Sequence, residues 1–147
     1  MVGPGSPGLY EAGQIAALKE HLEYVMASIP WPNFKHPKTR LLAEEYAKRS
    51  GGKTLDTNSG YSYDAIQVLH DVYERAKTTE PDAVVEAIKR TSFKDNLMVS
   101  TGPVIFNELG DNPNAAPAMV QILGSRPVVV WPRDLAQQKF VFPRPKA

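Results

Sequence analysis

The sequence predicts an α/β protein in which helices outnumber strands, and three observations carry that reading. Near the C-terminus, Val104–Phe106, Ala118–Leu123 and Val128–Trp131 are short apolar runs bounded by Gly, Pro or Asn, too short for helices. Longer segments, Leu9–Leu18, His36–Ser50, Tyr61–Lys77 and Pro81–Thr91, carry apolar residues at helical spacing. The third observation is a shortage. Only Tyr24–Ile29 reads as a strand before residue 92, with none between Ser50 and Tyr61 or between Lys77 and Pro81. A parallel sheet needs a strand between successive helices, and an apolar stripe needs a layer to cover. The chain is therefore expected to be part of a larger fold, supplying helices without enough of the sheet beneath them.

Each element has a local cause. Leu9–Leu18 places Ile15 and Leu18 on one side, with Gly13 weakening the helix. Tyr24–Ile29 runs into Pro30-Trp31-Pro32-Asn33, which continues neither helix nor ladder and reads as a segment crossing between two units. Pro37 opens the next helix, Leu41, Leu42 and Tyr46 form its stripe, and Gly51-Gly52 stops it. Lys53–Ser59 reads as loop. Tyr61–Lys77, the longest helix, is expected to bury Ala65, Leu69, Val72, Tyr73 and Ala76. Thr79 or Glu80 caps Pro81–Thr91, with Asp82 in its first turn and Val84, Val85 and Ile88 inward. Asp111–Pro117 is an extended linker. Gly124-Ser125 reads as a type II′ hairpin turn, pairing Leu123 with Arg126 and setting Pro127 opposite Ile122, which is tolerable at a sheet edge. The tail from Arg133 is expected at the surface.

Composition narrows the function classes. The hydrophobic fraction of 42% and charged fraction of 22% are those of a globular protein. A net charge of +1, from 17 basic and 16 acidic residues interspersed, provides no field for nucleic acid or an anionic membrane. Without cysteine there are no disulfides or thiolate metal sites. No secretory leader or membrane span is visible, so the protein is either cytosolic or begins elsewhere.

No motif supports catalysis, and none implies a cofactor or a metal. Gly3, Gly5 and Gly8 match GxGxxG in letters, but no strand precedes them and prolines fill the gaps, so a tight turn is the better reading. His21, His36 and His70 lie in three elements without ligand spacing. Gly110 and Gly124 lack a nucleophile elbow, and Glu44-Glu45 falls on a solvated helix face. Trp31 and Trp131 both precede proline, and either packs in a core or lines a ligand cleft.

Several stretches together resemble the substrate-binding proteins of branched-chain amino acid (Leu/Ile/Val-binding) ABC transporters, which have the type I periplasmic binding fold. Tyr61-Ser62-Tyr63-Asp64-Ala65 with Tyr73-Glu74-Arg75-Ala76 is similar to that family's Tyr-Asp-Ala helix ending in Glu-Arg-Ala, and Pro81–Ile88 to the helix after it. Gly102–Asn107 with Gly110-Asp111, then Val120–Ile122, Gly124 and Val128–Pro132, resemble its Gly-Asp turn and closing hairpin. The resemblance covers nearly the whole chain and only the family's C-terminal half. It implies a partial type I fold: residues 1–29 end a second lobe, 30–35 cross the hinge, 36–116 belong to the first lobe, and 117–147 form a hairpin and tail near the hinge. It implies a shortened chain, a split gene or a mis-called start. It also implies a periplasmic, non-enzymatic receptor that holds a small-molecule solute between two lobes and delivers it to an ABC permease. Gly5 and Ser6 stand where amino-acid binders carry an acid for the ligand ammonium, so a solute other than a free amino acid is expected. Trp31 is the further candidate ligand contact. A ligand-sensing regulator of the same fold, or a non-binding remnant, is the alternative, and exposed helix faces favour a homodimer of the separate chain.

Overall fold

A computed structural model describes residues 7–145 of the chain. Its elements are α1 (Ala12–Leu18), β1 (Met26–Ile29), α2 (Pro37–Arg49), α3 (Thr57–Ala76), α4 (Pro81–Lys89), β2 (Ala118–Leu123) and β3 (Arg126–Trp131), with 3₁₀ turns at Pro7–Tyr10 and Lys19–Leu22 flanking α1. The strands form one antiparallel sheet in the order β1-β2-β3. This is an α/β architecture with few strands, as the segment count requires.

The β2–β3 hairpin has the expected register, Leu123 opposite Arg126 and Ile122 opposite Pro127, and β3 is an edge strand. Its turn is different. Gly124 (φ 60°) and Ser125 (φ 59°) are both left-handed, which makes the turn type I′ rather than type II′. A neighbour explains the strain at Ser125: the Glu23 carboxylate accepts the Gly124 N–H at 2.7 Å and the Ser125 N–H at 3.1 Å. β1 begins at Met26 rather than Tyr24, because Tyr24 is left-handed (φ 67°). Val104–Phe106 is not a strand. It holds a single bridge, Phe93 with Val104, since Pro103 has no N–H to extend a ladder.

The helices follow their end signals. Pro37 sits in the first turn of α2, and Gly51 and Gly52 (φ 71° and 88°) follow it. α3 starts four residues earlier than the apolar spacing indicated, within the expected loop. A capping box fixes that start: Asp56 Oδ1 accepts the Ser59 N–H and Ser59 Oγ accepts the Asp56 N–H, both at 2.9 Å. Glu80 holds the N-cap position of α4 without a side-chain capping bond.

The core lies on one face of the sheet. Ala27, Ile29, Ala118, Val120, Ile122 and Val129 meet Tyr10, Ile15, Leu22, Val25, Trp31 and Val99, and no residue of α2, α3 or α4 is in this cluster. The opposite face, with Met26 and Gln121, is covered by the tail. Several helix residues expected inward are instead exposed: Leu69, Tyr73 and Val85, with Leu41 at 67%. Among the described residues, the sheet covers α1 and leaves these stripes open.

Candidate functional site

The segment Pro30–Asn33 is tied on both sides. Its Trp31 carbonyl accepts the Val99 N–H (2.9 Å), its Asn33 N–H donates to the Leu97 carbonyl (2.7 Å), and Pro32 bridges Met98. Thr57 Oγ1, in the first turn of α3, donates to the Pro30 carbonyl at 2.6 Å. Gly60 lets α3 approach closely: a Cβ there would stand 2.6 Å from Met98 Sδ and 3.2 Å from Pro32 Cγ. Prolines deny Pro30–Asn33 a regular ladder, so these contacts with Leu97–Val99 and α3 set its course.

Asp64 clamps the other side of the same strip. It is 6% exposed, and its carboxylate accepts the Leu97 N–H at 2.8 and 2.9 Å and the Met98 N–H at 3.2 Å. Burial pushes its pKa above the usual carboxylate range, and Asp95 adds to this; the two N–H donors and the Lys38 ammonium oppose the shift. Lys38 is itself paired with Asp95 and lies 5.6 Å from the Tyr63 ring centroid. Beside the clamp, α3, α4 and the 96–115 loop enclose a largely apolar cleft of about 430 Å³, lined by Tyr61, Leu69, Val72, Ile88, Met98 and Phe106 among others. Such a cleft can bury apolar surface.

Of the residues singled out from sequence, Gly3, Gly5 and Ser6 lie outside the described residues. Trp31 is 1% exposed and belongs to the core cluster, edge-on to Tyr10 with ring centroids 6.4 Å apart. Its indole N–H and the Tyr10 hydroxyl are both buried without a hydrogen-bond partner among the described residues. Burial pushes the Tyr10 hydroxyl up to about 12. Sequence reasoning missed Asp64 as a structural clamp. The signal was a carboxylate in step with Val68 and Val72 on the inward stripe of α3, where a charge needs partners.

The three-stranded sheet with its flanking helices is an α/β arrangement that comparisons with known proteins place in a family. The periplasmic binding protein family matches residues 2–125. The chain belongs to that family, whose members bind substrates rather than transform them. Similar solved structures include a leucine-binding protein from Thermotoga maritima (19% identity, TM-score 0.67), covering 91% of this chain and 38% of its own. Another is a branched-chain amino acid ABC transporter protein from Thermus thermophilus with bound valine (18%, TM-score 0.66, 88% and 37%). A third is an extracellular ligand-binding receptor from Rhodopseudomonas palustris (13%, TM-score 0.61, 87% and 39%). These likenesses establish a type I periplasmic binding fold, of which this chain spans about 38% of the first structure's length. Comparison with curated protein sequences gives no match.

Proposed function

We propose that this chain is part of the solute-binding receptor of an ABC importer, working outside the cytoplasmic membrane and holding a small organic solute between two lobes that close about a hinge. The observation that carries the reading is the family match across residues 2–125, supported by a Pro30–Asn33 segment held between the sheet unit and α3. In this reading residues 1–29 and the 117–147 hairpin and tail lie on one side of the hinge, 30–35 cross it, and 36–116 lie on the other. Gly5 and Ser6 face the solute, with Trp31 at the hinge.

The solute is not a free amino acid, because Gly5 and Ser6 offer no carboxylate to an ammonium group sealed in the cleft. An organic or aromatic acid is the favoured class. Isothermal titration of the full-length receptor tests this: heat with carboxylates and none with leucine or valine is expected, and tight leucine binding without carboxylate affinity would sink it. Exposed Leu41, Ile66, Leu69 and Tyr73 favour pairing of two copies of the separate chain. Light scattering at high concentration then gives a dimer mass, and a purely monomeric species overturns the pairing.

A further inference from the structure

The sheet face opposite the core carries Met26 and Met119 and is roofed by the tail. Two fastenings hold that roof. Gln121, fully buried, donates through Nε2 to the Val141 carbonyl (3.0 Å) and accepts the Val141 N–H (3.1 Å). Gln137 donates its N–H to the Val129 carbonyl (2.8 Å) while its Oε1 accepts the Val129 N–H (2.9 Å). Between these points the tail does not close on the sheet. A cleft of about 820 Å³ remains, lined by Met26, Met119, Trp131, Phe140, Arg133 and Lys139 among others.

We propose that this cleft binds a small carboxylate with an aromatic or other flat apolar body. Its volume is in the range of about 300–1,000 Å³ usual for small-molecule sites. The Trp131 and Phe140 rings stand 57% and 48% exposed beside two thioethers, so an apolar body entering here gains buried contact and aromatic stacking. The charges select the head group. Neither Arg133 nor Lys139 has an ion-pair partner among the described residues, and no acidic residue lines the cleft. An anion is favoured there and a cation repelled. The two fastenings pair main-chain groups with two side-chain amides, that of Gln121, which is buried, and that of Gln137, which is exposed. The site is on the sheet face opposite the core that holds Trp31, and nothing in its assignment uses the receptor reading.

The test is a titration of the chain with 1-naphthoate, its neutral alcohol analogue and its aminomethyl analogue, by calorimetry and tryptophan emission. One tryptophan is exposed and the other 1% exposed, so emission changes report Trp131. Saturable naphthoate binding is expected, with the alcohol about tenfold weaker for want of the charge-assisted contacts. The exposed-site double variant Arg133→Gln/Lys139→Gln should weaken naphthoate by at least about tenfold. Trp131→Phe should remove the emission change while leaving most of the heat. Failure of naphthoate to saturate, equal affinity for the alcohol or the amine, or an unaltered double variant each overturns the assignment. Solute binding by the full-length receptor is read separately, so either result can fail alone.

Discussion

Replacing Asp64 with alanine is the most direct perturbation of the Leu97–Val99 strip that guides Pro30–Asn33. The side chain accepts from two backbone amides, those of Leu97 (0% exposed) and Met98 (6%). Alanine leaves both donors buried without an acceptor, at about 1–3 kcal/mol each, and the relief from no longer desolvating a carboxylate offsets part of this. The net expectation is a loss of roughly 2–4 kcal/mol. Asn keeps one acceptor oxygen and should cost about half as much. Urea unfolding followed by helical circular dichroism measures both, and faster hydrogen exchange at the Leu97 and Met98 amides locates the damage. The pH dependence has a definite sign. Since the folded-state pKa of Asp64 is raised, its contribution is fully present below the ordinary carboxylate range and falls as pH climbs through the raised value. Asp64→Asn should lack that fall. An alanine variant within about 0.5 kcal/mol of wild type, with unchanged exchange at both amides, would refute the clamp.

Further outcomes follow from other local features. Asp56→Ala removes the capping box of α3 and should cost about 1 kcal/mol in chemical denaturation, with Asp56→Asn recovering most of it. Ser125→Gly relieves a left-handed residue in the hairpin turn and should raise stability by up to about 1 kcal/mol, whereas Ser125→Val should lower it. Tyr10→Phe removes a buried hydroxyl without a partner, so stability should be unchanged or higher at neutral pH. It should also abolish a decline in wild-type stability as pH rises from the ordinary tyrosine range through about 12. Ile66→Glu, at a position 62% exposed, should leave the unfolding midpoint nearly unaltered while reducing the apparent mass in light scattering.

Much of this fold is legible locally. The β2–β3 register followed from two turn residues flanked by apolar runs, and α2 from a proline at its start and paired glycines at its end. The start of α3 was legible too, in the Asp56-to-Ser59 spacing, but the apolar period begins later and draws attention away from it. The type I′ turn was not, because Ser125 accepts its conformation through a carboxylate 102 residues away in the chain. Val104–Phe106 has the composition of a strand, yet composition does not guarantee a partner edge. Of the candidate site, Gly5 and Ser6 were identified by resemblance alone, while the sequence favoured a core place for Trp31 over a ligand cleft without deciding it. Its placement among Tyr10, Ile29 and Val99 is a matter of packing.

By itself, the amino-acid order determined the segments: where backbone donors run out at proline, where glycine permits a reversal, and which helix faces are apolar. It also exposed the mismatch between helical stripes and available strands. Tertiary structure alone decided which stripe meets the sheet, that Asp64 serves two distant amides, and that a C-terminal tail roofs the second sheet face. The physical reason is range. Propensities and caps act over a few residues, whereas burial, buried hydrogen bonds and clefts arise from groups brought together across the whole chain.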